Sequence, residues 1–142
     1  MTKKTVWQGG KQVTFKTNLN EDGVGDLYAL CGSLDGLSDE ELCCLSIAKW
    51  ETIVQAYEEG ATRVRDGGAD TCALCYQYRN KNKTCIGCPI AMYVGDVCCL
   101  STPYTNYRPN RFALPPLKQQ ARDEVAFLYE VLDHIRKENN DG

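Results

Sequence analysis

Two Cys-x-x-Cys motifs are the feature that most constrains the fold of this 142-residue chain. Cys72 and Cys75 form the first motif, Cys85 and Cys88 form the second, and nine residues separate them. Each motif can fold into a knuckle that turns two sulfurs toward one point, so four thiolates can close around one tetrahedral ion. The pattern predicts a structural metal site in the middle of the chain. Cys98 follows closely enough to be a reserve ligand.

The nine cysteines of the chain permit two interpretations. In a secreted protein they would form disulfides with one thiol left over, whereas in a reducing compartment paired motifs more often bind metal. The N-terminus reads Met-Thr-Lys-Lys and continues with polar residues, unlike a secretory signal. No apolar run approaches the ~20 residues that span a bilayer. We therefore expect a metal-binding protein in the cytoplasm.

Zinc is the expected metal, because closed sites of four cysteines at this spacing commonly hold it. An iron–sulfur cluster is the alternative, since the Cys88-Pro89 junction recurs beside such clusters. The spacing differs from the ferredoxin run, which favours zinc. The ligand set stays open, because Cys98 or Cys99 could replace one of the four sulfurs.

Glycines and capping residues predict the elements before the cysteine motifs. Gly9-Gly10 separates two β-prone runs and predicts a hairpin. Asp26 to Leu34 is interpreted as a short helix capped by Asp26. Ser38 and Glu41 form a capping box ahead of an apolar stripe, which predicts a helix over about 39–59. Cys43-Cys44 falls within that helix and is interpreted as packing.

The closing part of the chain predicts a second helix with a clean apolar stripe. Pro115-Pro116 suits its first turn, and apolar residues then recur at helical spacing. We expect a single α+β domain, mainly helical, with two packed helices flanking a metal-bound cysteine-rich loop and an N-terminal β-hairpin. The expected boundaries are 1–37 for the hairpin and short helix, 38–60 for the first helix, 61–112 for the cysteine-rich segment and 113–138 for the last helix.

The residue composition argues against an enzyme. The only histidine is His134, which lies far along the chain from the cysteine motifs. Catalytic mechanisms that place a histidine beside a serine, a cysteine or a metal ion therefore lack a histidine near these motifs. No Gly-rich phosphate loop of a known pattern occurs, since Gly23-Val24-Gly25 lacks the third glycine and the preceding strand. We expect no enzymatic activity.

The charge distribution marks a candidate surface for partners. Residues 61–112 carry a net charge of +4, whereas 1–60 carry −5 and 113–142 carry −2, giving −3 in total. Aromatic rings can stack on bases while Lys and Arg contact phosphates, so binding of single-stranded nucleic acid is an alternative function. The net acidic chain favours an ordinary solvated loop instead. The candidate partner-binding residues are Tyr76, Tyr78, Arg79, Lys81 and Lys83.

The cysteine pattern over residues 72–104 resembles a recurrent pattern in small uncharacterised proteins of tailed bacteriophages. It runs C-x-x-C, then C-x-x-C-P-I, then Cys98 and Thr102-Pro103-Tyr104. Those proteins are also similar in having a helix with tryptophan before the cysteines, here around Trp50, and a closing helix after them. This chain departs from them by additional cysteines and by its N-terminal hairpin. The resemblance implies a phage accessory protein with a bound metal, located in the host cell cytosol, and it assigns no catalytic residues.

The leading hypothesis is a non-enzymatic, metal-stabilised accessory protein that binds a host or phage protein. Small phage accessory proteins often act on host defence or host transcription, so inhibition of such a host system is its concrete form. Single-stranded nucleic-acid binding is the second hypothesis. A protein with an iron–sulfur cluster or a small ligand between its helices is the third.

Overall fold

The computed structural model describes residues 2–67, 71–81, 87–95, 102–107 and 117–141. These residues form four strands and five α-helices, with one π-helical segment between α2 and α3. In chain order the elements are β1 (Lys3–Gln8), β2 (Lys11–Leu19), β3 (Val24–Cys31), α1 (Asp39–Glu58), β4 (Arg63–Arg65), α2 (Ala73–Cys75), the π-helical segment (Tyr76–Lys81), α3 (Pro89–Val94), α4 (Tyr104–Tyr107) and α5 (Leu117–Asp141). The α+β class expected from the sequence is confirmed.

The N-terminal hairpin is confirmed. Strands β1 and β2 pair antiparallel, and Gln8 lies opposite Lys11 across a two-residue turn. Gly9 and Gly10 occupy that turn with φ of 57° and 77°. Both angles lie in the left-handed region, which glycine enters without a steric penalty and which matches the twist of hairpin strands.

The short helix predicted from Asp26 to Leu34 is wrong, because most of that segment is strand β3. It pairs antiparallel with β2, and β4 then pairs parallel with β3, so the sheet order is β1-β2-β3-β4. Leu27 is buried at 2% exposure, whereas its neighbour Tyr28 lies on the other face at 42%. This alternation is the period of a strand, and pairing with β2 satisfies backbone groups that a short isolated helix would leave exposed.

Helix α1 confirms the prediction from the capping box. The Glu41 amide donates to Ser38 Oγ at 3.2 Å, and the Ser38 amide donates to Glu41 Oε1 at 2.9 Å. The helix contacts β1, β2 and β4 on one side and α2 and α5 on another. It is therefore the central element of the core, with the sheet and the later helices packed around it.

Helix α5 packs along α1 through the predicted apolar stripe. It continues to Asp141, beyond the predicted end at 138, and its predicted opening at Pro115-Pro116 lies outside the described residues. The residues of the stripe and its flank that are buried are Ala121, Phe127, Leu128, Val131, Leu132 and Ile135.

The cysteine-rich segment predicted over 61–112 contains strand β4 and several short helices in its described parts. Helix α2 packs on α1, while α3 and α4 pack on α5. In the described part of the chain, no helix has the length and apolar character needed to cross a membrane.

Substitution of Gly25 tests whether strand β3 forms where the sequence predicted a helix. A Cβ atom at this position would lie 1.9 Å from the Asn18 carbonyl oxygen on β2. Gly25→Ala must therefore push β2 and β3 apart, and we expect a loss of about 1–3 kcal/mol in the free energy of unfolding. Gly32→Ala is the matched control, because a Cβ there meets nothing within 4 Å. Urea unfolding measures both, and equal midpoints for the two variants would contradict the pairing of β2 with β3.

Candidate metal centre and the buried charges beside it

The first cysteine motif forms a compact knuckle at the start of α2. Cys72 is the N-cap of this helix, and its carbonyl accepts from the Tyr76 amide at 3.0 Å. Hydrogen bonding from the Cys75 side chain lowers the pKa of the Cys72 thiol to about 5, assisted by the positive charge of Lys49 and by the Cys75 amide. Ser46 Oγ also lies 4.0 Å from Cys72 Sγ. Cys72 is thus held in an environment that favours the thiolate, which is the form that binds metal.

Cys88 occupies the equivalent position at the start of α3. It is the N-cap, Pro89 follows at the first helical position, and the Met92 amide donates to the Cys88 carbonyl at 2.9 Å. Proline suits this position because its fixed φ matches the helix and its missing N–H has no partner there in any case. The Cys-Pro junction therefore begins a helix, and Cys88, which is 7% exposed, lies in the core.

Cys43 lies near the knuckle cysteines but in a different state. Burial raises the pKa of its thiol to about 12, and the nearby Cys72 and Cys88 add to this effect. Its Sγ donates to the Leu128 carbonyl at 3.6 Å, which joins α1 to α5. A protonated, buried thiol fits the packing role predicted from the sequence.

The donors that the structure describes fit part of the predicted metal site. Cys72 and Cys75 are hydrogen-bonded to each other, and Cys88 begins the next helix. Across residues 2–67, 71–81, 87–95, 102–107 and 117–141, no three His, Cys, Asp or Glu side chains are placed to hold an ion. The predicted ligands Cys85 and Cys98 lie outside these ranges. The soft, paired sulfurs of the first motif are chemically suited to zinc.

The tyrosines predicted to bind a partner contact the first residue of α1 and the loop before it. Tyr78 Oη donates to Asp39 Oδ1 at 2.6 Å, and Tyr76 Oη donates to Asp35 Oδ1 at 3.3 Å. Burial, followed by the Asp39 contact, raises the pKa of the Tyr78 hydroxyl. These bonds fix the π-helical segment against the start of α1. The other predicted partner-binding side chains, of Arg79, Lys81 and Lys83, lie outside the described part of the structure.

A buried ion pair lies beside the knuckle. Lys49 Nζ on α1 is 3.0 Å from Asp66 Oδ2, and the two side chains are only 2% and 8% exposed. Asp66 also accepts from the Tyr104 hydroxyl at 3.4 Å. Charges this deeply buried need partners, because the desolvation of an unpaired ion costs several kcal/mol. The pair therefore joins α1 to the chain that follows β4.

Glu124 places a second carboxyl group next to this pair. It lies on α5 at 3% exposure, and burial raises its pKa to about 8, with the charge of Cys72 as the next cause and Lys49 opposing it. One carboxyl oxygen accepts from the Tyr104 amide. Within the described residues, Oε2 has no hydrogen-bond partner. Burial therefore favours the protonated form of this side chain.

Aromatic contacts fasten the Thr-Pro-Tyr segment to α1. The Trp50 ring makes edge contacts with Tyr104 and Tyr107 at centroid distances of 5.7 and 4.8 Å. Tyr107 Oη lies 2.9 Å from Tyr57 Oη and donates to the Val64 carbonyl of β4. The tryptophan helix and the Thr-Pro-Tyr element, both noted in the sequence, thus form one packed unit.

The buried charges were not predicted, although the sequence carries a signal for them. Lys49 lies four residues after Leu45 and four before Ile53, so it falls on the apolar face of α1. Glu124 lies likewise three residues after Ala121 and four before Leu128. A charged residue at a stripe position is unusual enough to indicate a buried partner.

Comparison of the chain with protein-family models, with curated proteins and with solved structures found no match. The bacteriophage resemblance therefore stays a prediction.

Glu124 predicts a pH dependence of stability. Its pKa is about 8 in the fold against an ordinary value of 4.5, so the folded state binds more protons between these values. The stabilising contribution is complete below the unfolded pKa and is lost as pH rises through the folded pKa. We expect the wild type to lose up to about 1.4 kcal/mol per pH unit relative to Glu124→Gln across this window.

Urea unfolding of the wild type and Glu124→Gln at a series of pH values, both in the same metal state, measures this difference. The charges of Cys72, Lys49 and Asp66 also act on Glu124 and are present in both proteins. Parallel stability curves from pH 5 to pH 8 would show that Glu124 does not titrate in this window.

Proposed function

We propose that this chain is a non-enzymatic interaction protein, stabilised by a structural zinc, that binds a host or phage protein. Cys72, Cys75, Cys85 and Cys88 are the proposed ligands, with Cys98 in reserve. Inhibition of a host defence or transcription system is the form that the bacteriophage resemblance favours. Zinc would supply rigidity here rather than a reactive centre, because four thiolates leave no open position for substrate.

The placement of α3 is the observation that carries this proposal. The helix begins at a proposed ligand, Cys88, and within its six residues it exposes Met92 at 68% and Tyr93 at 38%. A metal bound at the start of the helix would therefore fix the direction of both side chains. Methionine and tyrosine are enriched at protein interfaces, because they provide adaptable or amphipathic contact area.

The surroundings of His134 also favour a binding role over catalysis. Its Nε2 lies 3.1 Å from Glu138 Oε1, one turn along α5, and its ring lies 5.2 Å from the ring of Tyr93. The Tyr93 ring is also 5.9 Å from Phe127. The histidine thus joins α3 to the surface of α5. Its ring therefore packs against Tyr93, a residue of the proposed interface.

Metal content provides the first test. Native mass spectrometry should find one zinc per chain, and a chelator should lower the melting temperature by about 10 °C or more, since metal binding is also folding energy. Cys75→Ser should lose the zinc. Cys31→Ser is the matched control, because Cys31 is exposed at the end of β3. An iron–sulfur absorption spectrum, or a chelator that leaves the melt unchanged, would contradict a structural zinc.

Capture of a partner provides the second test. The metal-loaded chain is immobilised and exposed to nuclease-treated bacterial lysate, and we expect a discrete protein to be retained. Met92→Lys should abolish retention, because it places a charge in the surface that the partner would cover. Tyr129→Lys alters a similarly exposed residue on α5 and should retain the protein. Equal retention by both variants would exclude α3 as the binding surface.

A further inference from the structure

The sheet has one face that α1 does not cover. Side chains alternate along each strand, so Val13, Phe15 and Leu27 turn inward and are buried. Their neighbours on the same strands turn outward and form what we call the outer sheet face. It consists of Lys3, Thr5, Trp7, Gln12, Thr14, Lys16, Asn18, Val24, Asp26, Tyr28, Leu30, Arg63 and Arg65.

Three large apolar side chains stand exposed on the outer sheet face. Trp7 is 62% exposed, Leu30 is 53% and Tyr28 is 42%. The other tryptophan, Trp50, is only 4% exposed in the core. Exposed tryptophan and leucine on a sheet of a single chain leave apolar area in water, which a partner would cover.

The charge of the outer sheet face is opposite in sign to that of the whole chain. It carries four cations, Lys3, Lys16, Arg63 and Arg65, and one carboxylate, Asp26, for a net charge of +3. The chain as a whole carries −3, so the remainder carries −6. An anionic partner would be attracted to this face.

The register places two like charges directly opposite each other. Lys3 and Lys16 are cross-strand partners on β1 and β2, and Lys16 in turn faces Tyr28 on β3. Directly opposed like charges destabilise a sheet. A phosphate between the two ammonium groups would remove that repulsion, and it would lie beside an aromatic ring.

We propose that the outer sheet face binds single-stranded nucleic acid. Unpaired bases would stack on Trp7 and Tyr28, and phosphates would contact Lys3, Lys16 and Arg63. Stacking on aromatic rings needs bases that are not paired, and exposed sheets are a recurrent platform for it. The bidentate bond from Arg65 to Asp26, at 2.6 and 3.1 Å, leaves that arginine less available than the other cations.

The dimensions of the face suit several nucleotides. Trp7 and Tyr28 are two strands apart and about four residues apart along the strands, which separates their Cα atoms by about 17 Å. Between them, Thr5 and Thr14 hydrogen-bond to each other at 2.9 Å and form a floor of small side chains. The four strands form this face and it contains none of the cysteines of the two motifs, so it is a separate surface from the proposed metal centre.

Fluorescence anisotropy with a labelled 12-nucleotide oligo-dT or oligo-U tests the proposal on the full metal-loaded chain. We expect binding at low salt that falls with a slope of about −2 in log affinity against log salt, from about three phosphate contacts. Trp7→Ala should weaken binding about tenfold or more through the loss of one stacked base. Lys16→Gln should weaken it and make the slope shallower by about 0.7.

Tyr129→Ala is the matched control, because it removes an aromatic ring of similar exposure from α5 and should leave affinity unchanged. A duplex of the same length should bind more weakly. Nucleic acid should also quench the exposed Trp7 in the wild type, and this quenching should disappear in Trp7→Phe, where only the buried Trp50 remains. The Trp7 side chain is largely exposed to water, so Trp7→Ala and Trp7→Phe should both melt at the same temperature as the wild type.

Absence of binding at low salt would overturn the proposal. Binding that Trp7→Ala and Lys16→Gln leave unchanged would also overturn it, because the contact would then lie on another surface. If the immobilised chain retains an acidic protein through Trp7 while oligonucleotides fail to compete, the face is a protein interface instead. Each of these results is independent of zinc content and of the Met92 variant.

Discussion

The buried pair of Lys49 and Asp66 is the interaction on which the arrangement of this chain depends. An ammonium group at 2% exposure is stable only where a counter-charge is fixed beside it, and removal of one member of such a pair costs about 3–5 kcal/mol. The pair specifies where the chain leaving β4 meets α1. The Tyr104 hydroxyl, bound to the same carboxylate, brings the segment before α5 to that point. Helix α1, the chain that follows β4 and the segment before α5 therefore meet at one place.

The same ion pair links the fold to the proposed metal centre. Lys49 is among the groups that lower the pKa of Cys72, and the charge of Cys72 is in turn one of the causes that raise the pKa of Glu124. A zinc ion with four thiolates carries a net charge of −2, so a nearby ammonium group would offset part of it. Charge balance in the core and metal affinity would then rise or fall together, and the knuckle would form only in a correctly folded chain.

The sequence alone predicted the elements for which a local signal and the tertiary structure agree. The Gly-Gly turn, the capping box and the stripe of α5 each specify an element through contacts within a few residues. Strand β4 has only three residues and depends on its pairing with β3, which no local pattern records. The buried Lys49 and Glu124 were visible as charges on apolar stripes, yet their partners lie on other elements and could not be identified from spacing alone.

The prediction failed at strand β3 for a different reason, and that reason bears on function. Leu27, Leu30 and Leu34 follow the i, i+3, i+7 spacing of a helix, and the exposed Tyr28 and Leu30 hide the alternation of a strand. A strand with an ordinary polar outer face would have been recognised. Local rules fail most often where residues serve something other than folding. The apolar residues that obscured β3 lie outside the core on the outer sheet face, and a ligand bound there would cover them.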